Sequence, residues 1–265
     1  MTKFTLLHNK PEIEAYFRQN TALHLYEIGD LDDYFWGHTT WYAVKDDQRI
    51  LQIALLYSGD TLPVLLALAD PPIMNMEILL RSAIPFLPRK FYVHLSEDMD
   101  GIISDYYQLE FHGTFNKMLL RHPSRLRDID TSEVVRLDNS DLEDMMILYQ
   151  TSYPGNWFDP KILDTGQFFG IRRNTQLVSV AGIHVYSPEY QIAALGNITT
   201  HPQFRGKGLA TSVCARLCQS LWEKEIDHIG LNVKSDNMNA ITSYKKFGFE
   251  HVGTYQEYTA SQKTT

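Results

Sequence analysis

The stretch from Gln191 to Trp222 constrains the fold more than any other. It reads as a strand, QIAALGNITT, then the turn His201-Pro202-Gln203-Phe204-Arg205-Gly206-Lys207-Gly208, then a helix opening at Leu209-Ala210-Thr211. Two glycines at the mouth of a helix allow the backbone to pass close to a bulky anion. The first N–H groups of the helix have no intrahelical acceptor, and the helix dipole favours negative charge there. Arg205 and Lys207 add fixed positive charge beside those donors. The stretch reads as a cradle for a pyrophosphate.

The rest of the chain supplies short strands and amphipathic helices in a repeating order. In the first half, Lys10 to Asn20 is expected to be helical, with Pro11 suited to a first turn. Strands are expected over Trp41–Val44, Ile50–Tyr57 and Leu62–Ala69, separated by Asp46-Asp47-Gln48 and Ser58-Gly59-Asp60. A helix over Ile73–Ile84, a strand over Lys90–Leu95, a short helix over Asp98–Tyr107 and a strand over Thr114–Arg121 follow. Pro123-Ser124-Arg125 and the charged patch to Glu133 mark the expected boundary, giving domains 1–125 and 126–265.

The second half starts over. Val134–Leu137 is a short strand, Asn139-Ser140-Asp141 can cap a helix over Leu142–Tyr149, and Tyr153 to Pro160 is a loop rich in aromatics and turn residues. Three strands are expected over Phe168–Arg172, Leu177–Tyr186 and Gln191–Thr200. The helix after the cradle carries Leu209, Val213, Leu217 and Leu221 four apart, with Ala210, Cys214, Cys218 and Trp222 beside them. Ile229–Val233 is a strand, and Asp236 or Asn237 caps a last helix that Gly248 can end. The shared order of the halves implies a duplicated α/β (α+β) fold with a mixed sheet in each half. The first half has Asp70-Pro71-Pro72 where the second has its arginine and glycines. Prolines offer no N–H and an aspartate repels phosphate, so the cradle is expected in the second half alone.

Three kinds of phosphate cradle compete. A P-loop requires G-x-x-x-x-G-K-S/T, whereas Gly208 is followed by Leu209. A dinucleotide turn requires G-x-G-x-x-G directly after a strand; Gly206 and Gly208 are followed by Thr211, several residues beyond the strand. Glu225 does lie about where a ribose-binding acid would fall, so a nicotinamide-dependent dehydrogenase stays open on residues alone. The third kind is R-x-x-G-x-G/A, met as Arg205-Gly-Lys-Gly208-Leu-Ala210. This segment resembles the acyl-CoA pyrophosphate loop of the GNAT superfamily of N-acyltransferases. The resemblance extends through Thr200-His201-Pro202, Leu231-Asn232-Val233 and the closing run Asn237, Ala240, Ile241, Tyr244, Gly248 and Phe249. It covers Val134 to Tyr255; the first half is similar to a degenerate GNAT-like partner on topology only.

The resemblance implies transfer of an acetyl group from acetyl-CoA, or another acyl-CoA, to a primary amine by direct transfer in a ternary complex. Arg205, Gly206, Lys207, Gly208, Leu209 and Ala210 would hold the pyrophosphate. Main-chain groups of Ile198 and Thr200 would pair with the pantetheine arm, an N–H near Ile198 polarising the thioester carbonyl. Tyr244 matches the family's general acid near the thiolate, and Asn237 and Asn232 are further contacts to the cofactor. The strand face of Ile192, Ala194, Gly196 and Ile198 carries no base. If Ser187-Pro188-Glu189 closes a hairpin that pairs Tyr186 with Tyr190, His184 faces Ile192 and could take the amine proton; the plainer reading is a packed, hydrogen-bonded histidine. A non-catalytic acyl-CoA-binding or sensor protein is the competing reading.

Composition bounds the remaining classes. With 44% hydrophobic and 12% aromatic residues among 265, the chain can bury a core. A net charge of −8 argues against a nucleic-acid partner, which wants a basic face. No run approaches the roughly 18 apolar residues of a membrane span, and the N-terminal stretch lacks an apolar signal core, so a cytoplasmic protein is expected. Cys214 and Cys218, the only cysteines, have no neighbours to complete a metal site; buried free thiols and no metal are expected. A small-molecule amine or a peptide is the expected acceptor, and homo-oligomerisation is left open.

Overall fold

Alternating apolar residues and tight turns build the first of two compact units. It comprises the chain up to Lys117, Lys234–Asp236 and the stretch from Val252 on. The computed structural model describes residues 2–47 and 49–263; Gln48, in the turn expected after Val44, lies outside them. The elements are β1 (Thr2–Leu7), α1 (Lys10–Phe17), α2 (Leu25–Gly29), α3 (Asp33–Trp36), β2 (Thr39–Asp46), β3 (Arg49–Tyr57), β4 (Val64–Ala67), α4 (Met74–Ala83), β5 (Lys90–Leu95), α5 (Asp100–Ser104) and β6 (Tyr107–Leu120). Strands β1 to β4 form an antiparallel run, and β4 then pairs with β5 in parallel. A parallel pair needs a crossover, which α4 supplies. Its Met76, Leu79, Leu80 and Ala83 recur at helical spacing and pack with Leu65, Phe91 and Val93.

The second unit, Met118–Val233 with Asn237–His251, repeats the plan. It holds β7 (Val135–Arg136), α6 (Leu142–Ser152), β8 (Phe169–Arg173), β9 (Gln176–Ser187), β10 (Ile192–Thr200), α7 (Leu209–Glu223), β11 (His228–Lys234) and α8 (Met238–Lys246). Strands β7 to β10 run antiparallel, and β10 pairs with β11 in parallel. The crossover helix α7 buries Leu209, Val213, Cys214, Leu217, Cys218 and Leu221. Each such aliphatic side chain contributes about 1.5–3 kcal/mol on burial. Trp222, expected in the same stripe, instead stands 41% exposed one residue past the packed row. Asp141 is the N-cap position of α6, without a side-chain cap bond; the capping bonds lie one turn earlier, where Asp138 starts the 3-10 turn Asn139–Asp141, its carboxylate accepting from Ser140 N while Asp141 accepts from Asp138 N. The strand β12 (Phe249–Gln262) closes the chain, and its residues 256–261 pair with β5.

Both units thus carry a meander followed by a helix-linked parallel pair. They differ at the end of that pair. In the first unit, Ala69 N donates to Ser96 Oγ (2.8 Å) and Ser96 N to Ala67 O (3.3 Å), so contact between the two strands continues beyond β4. Asp70 is then held by Asn20 (2.8 Å) and by the buried ring of His24 (2.5 Å). Pro71 and Pro72 withhold N–H groups from the start of α4.

Candidate functional site

The corresponding place in the second unit is open. Parallel pairing of β10 with β11 runs from Ile192↔His228 to Leu195↔Leu231 and stops, although β10 continues to Thr200 and β11 to Lys234. On its other side β10 pairs Gly196 with Gly182 and then Thr199 with Val180, leaving Asn197 and Ile198 in a bulge. Asn197 sits at φ 55°, in the left-handed region. Ile198 therefore has no ladder partner on either side. Thr200 pairs with Ser179, and their hydroxyls meet at 2.9 Å.

Beyond Thr200 the turn adopts the conformation its glycines permit. Gly206 and Gly208 stand at φ 76° and 79°, and a Cβ at either would meet nothing within 4 Å. Backbone conformation, not crowding by neighbours, is what favours glycine there. Gly208 is the N-cap of α7, and the first helical bond runs from Ser212 N to Gly208 O (3.1 Å). The N–H groups of Leu209, Ala210 and Thr211 precede that bond and have no acceptor within the helix. Gly208 has no side chain to cap them, and the first turn carries no acidic residue. The Lys207 ammonium lies 5.1 Å from the centre of the Phe204 ring. Arg205 has a second duty: its guanidinium donates to Thr200 O (3.0 Å) and Ser152 O (3.3 Å), bracing the turn against α6.

The other expected site residues lie on β11 and at α8. Asn232 lies one residue past the last β10–β11 pair; it is half-buried, and its amide has no hydrogen bond among the described residues. Asn237 caps α8, its Oδ1 accepting from Ala240 N (3.2 Å). Tyr244 packs half-buried between Phe247 and Phe249, at ring distances of 5.5 and 5.9 Å. Burial, reinforced by Cys214, Tyr153 and Cys218, pushes its phenol well above the ordinary tyrosine value. The group therefore stays protonated at neutral pH, as a proton donor must. Cys214 and Cys218 are buried free thiols; burial pushes Cys214 up to about 12, and Cys218 is raised by burial and by Cys214. Neither supplies a thiolate nucleophile at neutral pH.

The register expected for His184 is corrected. Ile192 pairs with Ser187 and Ala194 with Val185, after which Leu195 pairs with Ile183, so His184 is skipped at a bulge rather than facing Ile192. A Cβ at Gly196 would fall inside the His184 imidazole, so the ring lies flat on that glycine, beside the Asn197–Ile198 bulge. Trp157 lies 6.0 Å from it, ring centre to ring centre. The loop before it divides its duties: Phe158 is anchored on Tyr149 and Phe168, while Tyr153 and Trp157 remain exposed. Three residues that pattern reading passed over hold the bulge, namely Tyr149, Asn156 and Asn197 itself. A lone asparagine inside the otherwise apolar and β-branched strand was the available signal.

Among the described residues no group of His, Cys, Asp and Glu is arranged to hold a metal ion, and no helix is long and apolar enough to cross a membrane. The sequence model of the acetyltransferase (GNAT) family matches residues 134–249. A Bacillus subtilis (strain 168) protein, described as a candidate ribosomal-protein-bS18 alanine N-acetyltransferase, is 26% identical over 129 residues, covering 45% of this chain and 83% of the relative. A candidate GNAT-family acetyltransferase from Novosphingobium aromaticivorans superposes with a TM-score of 0.60 at 18% identity, over 80% of this chain and 89% of the other. A tandem GNAT protein from the clavulanic acid biosynthesis pathway superposes over 100% of both chains, with a TM-score of 0.57 at 14% identity.

Proposed function

We propose, from the premise that residues 134–249 are a domain of the acetyltransferase (GNAT) family, that this chain transfers an acetyl group from acetyl-CoA to a primary amine in the cytoplasm. The family indicates acyl transfer from an acyl-CoA. The single observation that carries the reading to particular residues is the bare N-terminus of α7 beside the parting of β10 and β11. An anionic pyrophosphate is accommodated by the N–H groups of Leu209 and Ala210 at the Gly206–Gly208 turn, with Lys207 and Arg205 adding positive charge. From there the pantetheine arm runs into the gap past Leu195 and Leu231, along Ile198, Thr200 and Asn232.

Placed so, the thioester carbonyl meets the N–H of Ile198, which stabilises the oxyanion as the amine attacks. His184, or a water held by it, takes the proton that the amine must lose. The C–S bond then breaks, and the neutral phenol of Tyr244 supplies a proton to the departing thiolate. Transfer is direct, because neither buried cysteine is suited to carry the acyl group. Asn237 caps α8 and contacts the cofactor from the same end.

The test is calorimetric titration of CoA, acetyl-CoA and NAD, followed by thiol release from acetyl-CoA across an amine panel. An alanine-ended peptide belongs in that panel, because the Bacillus relative is named for an alanine of a ribosomal protein. Amine-dependent thiol release supports the proposal. Acetyl-CoA binding with no turnover on any acceptor favours a non-catalytic acyl-CoA-binding protein. Binding of NAD without CoA overturns both.

A further inference from the structure

The peptide unit joining Asn197 to Ile198 is held from several directions. Asn197 is 1% exposed. Its Nδ2 donates to Ile183 O (3.0 Å), and its Oδ1 accepts from Asn156 Nδ2 (2.8 Å). Its carbonyl accepts from the Tyr149 hydroxyl (3.2 Å). Two of these three partners come from one continuous segment, the end of α6 and the loop that follows it. The same segment reaches β10 again: Ser152 Oγ meets Thr199 Oγ1 at 3.0 Å, and Ser152 O accepts from Arg205.

A trans peptide is planar, with its C=O and N–H pointing in opposite directions. The carbonyl of Asn197 and the N–H of Ile198 belong to the same plane. Fixing that carbonyl on Tyr149 therefore aims the Ile198 N–H directly away from α6. Because Asn197 and Ile198 have no ladder partners, the strand pairing of β10 leaves this plane unfixed, and its orientation depends on the side chains that grip it. The left-handed φ of Asn197 depends on them equally.

We propose that Tyr149 and Asn156 are positioning residues that lock the 197–198 peptide plane, so that the seating of the loop 153–158 sets the aim of the Ile198 N–H on the thioester carbonyl. The inference rests on the acyl-transfer reading above. It adds that the aromatic loop and the carbonyl-polarising donor move as one body. A poorly seated loop would then bind acyl-CoA and fail to activate it.

The experiment uses full-length protein with acetyl-CoA carrying a carbon-13 thioester carbonyl, observed by difference infrared spectroscopy. Native protein is expected to shift the bound carbonyl band to lower wavenumber than in free acetyl-CoA. Tyr149→Phe and Asn156→Ala should each lose part of that shift and the double variant most of it, while CoA affinity stays within about twofold. With an accepted amine, kcat of the double variant should fall about 10²-fold at unchanged KM for acetyl-CoA. A merely structural role would lower the melting temperature and leave the carbonyl band in place; that result overturns the proposal. So does a native carbonyl band that is unshifted in the bound state. Failure of the native protein to bind acetyl-CoA at all would instead show that the acyl-transfer reading is wrong, and the proposal falls with it. Should Tyr149→Phe not fold, Asn156→Ala, at a half-buried position of the loop, decides the matter by the same band.

Discussion

Replacing Gly208 with alanine separates the two things this residue does. At φ 79° an L-residue occupies the left-handed region at a cost of about 1–2 kcal/mol. No atom lies within 4 Å of the added Cβ, so no clash enlarges that figure. The ligand-free protein should therefore melt roughly 2–8 °C lower. Relief of the strain turns the peptide that carries the Leu209 N–H and removes one charge-assisted hydrogen bond from the bound pyrophosphate. Such a bond is worth about 1.5–3 kcal/mol, which weakens CoA binding roughly 10- to 150-fold. Gly155→Ala is the control. That glycine has φ 82° and equally open surroundings, but lies in the loop after α6. It should show the same drop in melting temperature with CoA affinity preserved. The measurements are a thermal melt without ligand and a calorimetric titration with CoA. If Gly208→Ala lowers the melt as expected yet binds CoA as tightly as the native protein, the pyrophosphate does not sit on the start of α7.

Tyr244→Phe should lower turnover about 10²–10⁴-fold while sparing CoA affinity. Because the Tyr244 phenol is raised by burial, native kcat should show no alkaline limb belonging to it in the neutral range. His184→Gln should change the shape of the pH–rate profile; an unaltered profile removes His184 as the base. In the first unit, burial opposes charge on His24, but Glu27 and Asp70 outweigh it and lift the imidazole to about 8 from 6.5. A raised pKa means that this stabilisation is complete below about pH 6.5 and is lost as pH rises through 8; it amounts to about 2 kcal/mol. Urea denaturation at pH 6 and pH 9 should show His24→Gln losing that much of the pH dependence. Comparing variant with native cancels the opposing effect of Lys117, whose pKa burial lowers. An identical pH dependence in the two would mean that His24 is not charged in the folded state.

Much of the second unit was legible because its signals are local. Strand β10, the glycine turn and α7 follow one another without interruption, so turn chemistry and helical periodicity suffice to read them. Asn237 as a cap and Gly248 as a stop, at φ 105°, are equally local. The errors arise where position depends on a distant partner. Counting outward from Ser187-Pro188-Glu189 with Tyr186 opposite Tyr190 places His184 opposite Ile192, but the turn extends to Gln191 and sets Ser187 opposite Ile192; farther along, β9 bulges and skips His184 altogether. The three partners of Asn197 come from α6, the loop after it and β9, none adjacent in sequence. In the first half, α2 and α3 escaped because they span only five and four residues.

The two units share a plan but differ at the end of their parallel strand pair. Both build a parallel pair joined by an amphipathic helix, and both bury that helix with the same spacing of apolar residues. Packing alone would therefore give two equivalent openings. A few residues at one strand end decide otherwise. Ser96 carries the contact of β4 and β5 past the last ladder pair, His24 and Asn20 take up Asp70, and two prolines remove donors before α4. In the second unit a bulge at Asn197 ends the regular ladder, no side chain caps α7, and glycine replaces proline at its start. Opening a gap between strands costs hydrogen bonds that the first unit retains. The second unit leaves the 197–198 peptide outside both ladders of β10, where Tyr149 and Asn156 hold Asn197.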